Sequence, residues 1–185
     1  MKKSIFLVTI FCLLTISALA QDNKPTDFSG NWTLDVSKSK LDERMRVESM
    51  TLDVKQTATE LKIETVVKRA ERPEGEMPNG GGMGGRMGGG MGGDGTTVYN
   101  LDGKETSAPV SAPGQAGGVA TSKAEFDKGK LKTTTIRNIS SPMGEMKITT
   151  KEIWELLNGG KTLKVVREME TPRGNRTSEM VFIKK

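Results

Sequence analysis

The chain contains no histidine, and its single cysteine, Cys12, lies in an apolar run near the start of the sequence. Without histidine, one chain cannot build a histidine metal site, a Ser-His catalytic pair or imidazole acid–base chemistry. With one cysteine it cannot close an internal disulfide, so a domain made from this chain must be stabilised by burial of side chains. These absences argue against the common hydrolases, and the sequence predicts no cofactor.

The first residues are organised like a secretory signal peptide. Lys2 and Lys3 form a basic start, and the apolar run at residues 5–16 is too short to span a bilayer. The small-x-small sequence Ala18-Leu19-Ala20 fits a signal peptidase site. We therefore predict cleavage of residues 1–20 and export to the periplasm or the outside of the cell.

The mature chain is then a single domain, residues 21–185, with no membrane span. An uncleaved N-terminal anchor is the alternative to this interpretation. Lipidation of Cys12 is not expected, because Ile10 and Phe11 precede it where a bacterial lipoprotein signal has small residues.

The basic character of the chain does not indicate nucleic acid as a partner. The formal net charge of +5 falls to +3 without Lys2 and Lys3. The remaining lysines and arginines alternate with glutamates, as in Lys62-Ile63-Glu64. That mixture is typical of a solvated sheet surface, whereas phosphate binding needs a continuous basic track.

Four turn sequences lie between segments in which apolar and polar residues alternate, the pattern of β-hairpins. They are Asp102-Gly103-Lys104-Glu105, Asp127-Lys128-Gly129-Lys130, Asn158-Gly159-Gly160-Lys161 and, more weakly, Thr57-Ala58-Thr59-Glu60. We predict about ten strands, over residues 32–36, 46–56, 61–68, 96–101, 106–110, 119–126, 131–139, 145–157, 162–170 and 176–184. One helical turn is predicted within residues 37–46.

The predicted fold is all-β, an antiparallel up-and-down meander of about 8–10 strands closed into a barrel. A loop at residues 57–60 places Val54 opposite Ile63, so that the apolar faces of the two strands coincide. Closure removes exposed strand edges, which a chain without disulfides has reason to do. A β-sandwich is the alternative architecture.

One internal ion pair is predicted in the hairpin around residues 158–161. Glu152 shares a strand face with the apolar Trp154, and Arg167 shares one with Val165. The loop length puts Glu152 directly opposite Arg167 on the inner face, where a charged group needs a partner. Three interpretations remain open: a purely structural pair, a polar anchor for a ligand that also contacts Trp154, and a general acid–base group.

The segment Phe28-Ser29-Gly30-Asn31-Trp32 resembles the opening signature of lipocalins and the wider calycin barrels, with Gly30 and Trp32 as its Gly-x-Trp. The layout of the chain is similar to that of small exported lipocalin-like proteins of bacteria. The resemblance implies binding of a small hydrophobic molecule. It also implies that Trp32 packs across the closed end of the barrel under an arginine from a late strand, for which Arg167 and Arg176 are the candidates.

An insertion at residues 73–95 is rich in glycine and methionine. Eleven of the sixteen residues from Gly80 to Gly95 are glycine, which disfavours helix and strand and predicts a flexible loop. The thioethers of Met77, Met83, Met87 and Met91 are soft ligands of the kind that Cu(I) prefers. An inert linker, a Cu(I) site, and an oxidation or protein-interaction role are the competing interpretations.

The sequence thus favours an exported, non-enzymatic, lipocalin-like barrel that binds a small hydrophobic ligand. Metal handling through the methionine loop is one alternative function. A structural protein of the cell envelope with no ligand is the other.

Overall fold

The computed structural model describes residues 25–42, 45–70, 94–110, 117–141 and 144–185. Its strands are β1 Gly30–Leu34, β2 Val47–Gln56, β3 Glu60–Arg69, β4 Gly95–Asn100, β5 Thr106–Val110, β6 Gly118–Asp127, β7 Lys130–Ser141, β8 Gly144–Leu157, β9 Thr162–Thr171 and β10 Gly174–Lys184. Short 3₁₀ turns occur at Val36–Lys38 and Asn158–Gly160. The first of these begins one residue before the segment in which a helical turn was expected.

The strand registers follow the alternation of apolar and polar residues. Val54 lies opposite Ile63 and Met50 opposite Val67, which confirms the predicted register of β2 and β3. Phe126 faces Leu131 across the turn between β6 and β7, also as predicted. A slip of one residue would turn each of these apolar side chains outward, so burial fixes the register.

All ten described strands belong to one antiparallel sheet in the order β4-β3-β2-β1-β10-β9-β8-β7-β6-β5. The first and last strands of the chain, β1 and β10, pair in the middle of this order, with Trp32 opposite Lys184. The two edges of the sheet come together, because Thr106 Oγ1 on β5 donates to the carbonyl of Val98 on β4 at 3.0 Å. The fold is a nearly closed up-and-down barrel, and the predicted barrel is confirmed over the sandwich.

The turn at residues 102–105 does not join a hairpin, so this part of the sequence prediction is wrong. Lys104 donates its amide to Asp102 Oδ1 at 3.0 Å, which makes the expected tight turn. Beyond it, β4 and β5 are the opposite edges of the sheet and share no backbone ladder. Pro109 on β5 has no N–H to donate, and proline is accordingly confined to strand edges. The residue types of a turn predict the turn itself, but they do not show whether the strands on either side of it pair with each other.

One end of the barrel is closed by residues 25–29, just ahead of β1. Gln56 at the end of β2 holds this segment, since its side chain accepts from the amide of Phe28 at 3.0 Å and donates to the carbonyl of Thr26 at 2.9 Å. Thr26 Oγ1 then donates to the carbonyl of Gly129 in the β6–β7 turn at 2.7 Å. The segment therefore crosses the barrel end, and the side chain of its Phe28 is fully buried.

The Gly-x-Trp sequence has a physical explanation at this closed end. Trp32 is fully buried and donates its indole N–H to the carbonyl of Phe28 at 3.0 Å. Lys184 Nζ lies 5.1 Å from the centre of the Trp32 ring, a cation–π contact. Gly30 has φ +137°, a backbone conformation that residues with a side chain rarely adopt, and this explains the glycine. A Cβ there would lie 2.6 Å from Cε of Lys184, a flexible side chain that could move aside.

The cation over Trp32 is therefore Lys184 and not the late-strand arginine that the resemblance implies. Arg167 instead pairs with Glu152, and Arg176 Nε lies 3.6 Å from Asp42 Oδ2. Lys184 lies opposite Trp32 because β10 pairs with β1, and this places a lysine where the resemblance implied an arginine.

The outer surface of the described barrel carries mixed charges, as the alternation of lysine and glutamate predicted. The pair Lys62–Glu64, at 2.6 Å on β3, is typical of its exposed ion pairs. Within the part of the chain that the structure describes, no helix has the length and apolar character required to cross a bilayer.

Several predictions concern residues outside the described ranges. The signal peptide at residues 1–20 and the candidate copper ligands Met77, Met83, Met87 and Met91 lie there. Of the insertion at residues 73–95, only its last two residues are described. Asp94 Oδ1 accepts the amide of Val67 at 2.6 Å, and Gly95 already belongs to β4.

Candidate functional site

The inner surface of the barrel has an apolar wall and a polar wall. The apolar wall is contributed mainly by β1, β2, β3 and β10, and its buried side chains are Trp32, Leu34, Met50, Leu52, Val54, Leu61, Ile63, Val67, Met180 and Phe182. The polar wall lies mainly on β6, β7, β8 and β9, and its buried side chains are Ser122, Thr133, Thr135, Arg137, Thr150, Glu152 and Arg167. The strands of the polar wall also bury apolar side chains, namely Ala124, Leu131, Ile139, Trp154, Leu163 and Val165, and Thr65 and Ser178 are buried on the other side. The buried polar groups are therefore concentrated on one side of the interior without being confined to it.

The predicted ion pair lies in this polar wall. Glu152 is opposite Arg167 in the β8–β9 register, and the two side chains are 5% and 3% exposed. Arg167 Nε donates to Glu152 Oε1 at 2.8 Å, and Nη2 lies 2.8 Å from the same oxygen. Trp154 Nε1 donates to Glu152 Oε2 at 3.0 Å. The carboxylate is thus held from both sides, and this hydrogen bonding fixes the orientation of the indole.

Hydroxyl groups form the next layer of the polar wall. Ser122 Oγ and Thr135 Oγ1 are 3.1 Å apart, and Thr135 Oγ1 is 3.4 Å from the hydroxyl of Tyr99. Tyr99 reaches this layer from β4, so the contact also spans the seam where the sheet edges meet. Thr150 lies opposite Thr135 across β7 and β8. Its buried Oγ1 has no hydrogen-bond partner among the described residues.

Arg137 is a second buried guanidinium in the same wall. It lies two residues beyond Thr135 on β7, and its side chain is 8% exposed. Burial lowers its pKa below the usual value for arginine, and the nearby positive charge of Arg167 acts in the same direction. The hydroxyl of Tyr99 has a raised pKa, first because it is buried and second because of the negative charge of Glu152. The charges of Arg167 and Glu152 therefore influence the ionisation of Arg137 and Tyr99, respectively.

Inner side chains are fully buried in the middle of the barrel and become more exposed toward the end opposite Trp32, while Leu156 at the other end of β8 is also half-buried. On β8, Trp154 is fully buried, whereas Ile148 and Met146, which point to the same face, are half-buried. On β9, Val165 is fully buried and Met169 is half-buried. We call this the open end of the barrel.

The structure brings together three of the residues that the sequence singled out, Trp154, Glu152 and Arg167. Gly30 and Trp32 lie at the closed end and act in packing. Arg137 and Tyr99 were missed, although Arg137 shares the strand parity of Leu131 and Ile139 and could have been assigned to the inner face on that basis. Tyr99 had no comparable local signal, because its partner Thr135 lies on a distant strand.

Two further observations concern the described residues outside the barrel interior. Among them, no group of three or more His, Cys, Asp or Glu side chains is arranged to hold a metal ion. An open groove of about 450 Å³ at the β9–β10 hairpin is lined by residues 41–42 and 173–177. Its lining is mostly polar and includes the Asp42–Arg176 pair, with Leu41 as its large apolar side chain.

No protein-family model matches the chain, and no curated protein matches it. Among solved structures, the chain is similar to the ileal bile acid-binding protein of zebrafish, determined with cholic acid. The sequences are 14% identical, the TM-score is 0.48, and the match covers 85% of this chain and 98% of the other. At this level of similarity, the conclusions about fold and site rest on the chain's own geometry.

Proposed function

We propose that this chain is an exported, non-enzymatic, lipocalin-like barrel that binds a small hydrophobic molecule at its open end. The observation that carries the proposal is the inner surface itself: an apolar wall, a polar wall, and half-buried apolar side chains where solvent enters. Ligand pockets commonly combine an extensive apolar lining with a few fixed polar groups.

The residues of the proposed site have different roles. Trp154 forms the floor, because it is fully buried and packs edge-to-face on Phe28, with ring centres 6.0 Å apart. Glu152 and Arg167 hold that floor in place through their mutual ion pair and the indole hydrogen bond. A ligand entering from the open end would meet the polar layer just above Trp154 and the apolar side chains facing it.

A binding role is favoured over a purely structural one by the composition of the interior. A barrel that only had to be stable would gain most from apolar residues at its inner positions, since replacing buried ion pairs with packed apolar groups is often neutral or stabilising. Here β7 alone places Thr133, Thr135 and Arg137 at consecutive inner positions. Copper handling through the methionine insertion involves residues outside the described ranges, and no contact of the described barrel favours it.

Tryptophan fluorescence tests the proposal, because the chain has two tryptophans at different places in the barrel. We expect at least one compound from a panel of fatty acids, isoprenoids and tetrapyrroles to change the emission and to raise the melting temperature by linkage. The Trp154→Phe variant should lose most of the change in emission. The Trp32→Phe variant, altered at the closed end, should keep it.

Loss of the signal in both variants, or in the Trp32 variant alone, would contradict the proposed position of the ligand. If no compound shifts either the emission or the melting temperature of the unaltered protein, the binding function itself is wrong.

A further inference from the structure

We infer that the closed end of the barrel docks on phospholipid membranes that carry anionic head groups. The surface that would make this contact is formed by exposed residues at the ends of β8, β9 and β10, which we call the closed-end patch: Leu157, Lys161, Ile183, Lys184 and Lys185. It lies at the other end of the barrel from the proposed ligand site, so the inference does not depend on the proposed function.

Two aliphatic side chains of the patch point away from the core. Leu157 and Ile183 are 38% and 39% exposed. Thr162 lies opposite both of them in the strand registers, so their backbones are two strand spacings, roughly 10 Å, apart. Single exposed apolar residues are ordinary on a protein surface. Two that are neighbours beside a group of cations match the boundary between the head groups and the acyl chains of a bilayer.

Three exposed lysines surround this aliphatic pair. The amide of Lys184 donates to the carbonyl of Lys161 at 3.0 Å, and the amide of Lys185 donates to the carbonyl of Asn31 at 2.9 Å. These backbone bonds bring the three lysines together at one rim of the barrel. The cation–π contact with Trp32 keeps the ammonium group of Lys184 there. Among the described residues, none of the three lysines forms an ion pair with a carboxylate.

Carboxylates close to the patch already have partners. Glu155 on the outer face of β8 lies 3.0 Å from Nζ of Lys130, and Asp53 on β2 lies 3.2 Å from Nζ of Lys55. Asp27 at the rim accepts a backbone amide at 2.9 Å. The lysines of the patch are therefore in excess, and a surface of anionic head groups is complementary to them. A lysine at such a surface raises the affinity by about fivefold.

The aliphatic pair favours a membrane over nucleic acid or an acidic protein segment. A polyanion in solution offers charge to the lysines but no apolar layer to Leu157 and Ile183. A bilayer offers both, because peripheral binding combines burial of apolar side chains near the acyl chains with attraction to anionic lipids. Docking in this orientation would leave the open end of the barrel facing the solution.

Cosedimentation of the purified protein with vesicles tests the inference. We expect binding to vesicles of mixed phosphatidylcholine and phosphatidylglycerol at low salt. Vesicles of phosphatidylcholine alone should bind at least about tenfold more weakly, since they carry no net charge for the lysines. High salt should release most of the protein from the mixed vesicles, because exposed charges are screened.

Matched lysine variants assign the binding to the patch. Lys161→Gln/Lys185→Gln should weaken binding to the mixed vesicles at least about tenfold. Lys40→Gln/Lys147→Gln removes the same charge from exposed positions away from the patch and should leave the affinity within about twofold of the unaltered protein. Lys184 is left unchanged in both variants, because its contact with the buried indole also contributes to packing.

The contribution of the aliphatic pair is measured separately. Leu157→Thr/Ile183→Thr keeps the charge and the preference for strand, and it should weaken binding to the mixed vesicles at least about threefold. Val119→Thr alters an exposed aliphatic residue on β6 near the open end and should have no effect. All the substituted side chains are exposed, so the melting temperatures should stay close to that of the unaltered protein.

Four outcomes would overturn the inference. They are absence of binding to vesicles of either composition at low salt, equal losses in the two double lysine variants, equal binding to neutral and mixed vesicles, and dimerisation through the patch in the absence of lipid. If double-stranded DNA or polyglutamate binds the patch while Leu157→Thr/Ile183→Thr binds vesicles as before, the partner is an acidic macromolecule and the inference is wrong. The tryptophan measurements test ligand binding independently of all these results.

Discussion

At the scale of single residues, the barrel interior is organised around Glu152. Its two oxygens receive hydrogen bonds from two different inner side chains, the guanidinium of Arg167 and the indole of Trp154. One carboxylate thereby fixes a buried cation and the orientation of a large aromatic ring. The alternating pattern of the β8–β9 hairpin was sufficient to predict the pairing with Arg167, because the register across a short turn follows from its length. It gave no indication of the indole contact.

Removing the negative charge of Glu152 should destabilise the protein strongly. We expect Glu152→Gln to lower the free energy of unfolding by about 3 kcal/mol, since Arg167 would remain buried without its counter-ion. The double variant Glu152→Gln/Arg167→Met should regain much of that loss. Urea denaturation of the unaltered protein, the two single variants and the double variant measures the coupling, and purely additive effects would show that the two side chains do not interact.

The same two strands provide a matched control for this experiment. Lys151 Nζ and Glu170 Oε1 form an ion pair of 2.8 Å on the outer face, where both side chains are about half exposed. Solvent-exposed pairs of this kind contribute little to stability. Glu170→Gln should therefore leave the denaturation midpoint unchanged within error, and a large effect there would indicate that the loss in Glu152→Gln is not specific to burial.

At the scale of elements, the barrel has one discontinuity, the seam between β4 and β5. In the described structure these consecutive strands share no backbone ladder, and side-chain contacts of Thr106 and Tyr99 connect the two sheet edges instead. By contrast, β7 is paired on both sides over nearly its full length, and β8 pairs with β7 over residues 144–154 and with β9 over residues 149–157. Elements with fewer backbone hydrogen bonds open at lower free energy.

Hydrogen exchange should therefore be fastest at the seam. We expect the amides of β4 and β5, residues 95–110, to exchange at least about tenfold faster than those of β7 and β8, residues 130–157, because local opening at the seam breaks few backbone bonds. Mass spectrometry of peptides after timed labelling measures the two regions in one sample. Equal protection in both regions would contradict the discontinuity and indicate a fully paired barrel.

At the scale of the whole molecule, one end of the barrel is covered by a segment of the chain, and inner side chains at the other end are less buried. One end is sealed by residues 25–29, with Phe28 and Trp32 buried and Lys184 over the indole. The other end leaves inner side chains such as Ile148 and Met169 half-buried. The longer connections, which include the glycine- and methionine-rich insertion between β3 and β4, join strand ends at this open end.

The proposed export of the protein makes a prediction about the mature chain. Because Ala18-Leu19-Ala20 fits a signal peptidase site, we expect protein recovered from the cell envelope to begin at Gln21. Intact mass measurement and N-terminal sequencing test this directly. Substituting Ala20 by a bulky residue should block processing and provides the control. A mature protein that retains Met1, or that carries a lipid on Cys12, would contradict the prediction.

The sequence by itself determined the strands, most of their registers and the inward position of Trp154, Glu152 and Arg167. These features depend on a side-chain period of two and on turn length, which are local properties. Only the tertiary structure decided that β1 closes on β10, that β4 and β5 stay unpaired, that Lys184 covers Trp32, and that Arg137, Thr150 and Tyr99 share one polar wall. Each of these features depends on contacts between residues that are far apart in the chain. Which residues meet is set by closure of the barrel and burial of apolar surface. The local alternation of apolar and polar residues carries no information about such contacts.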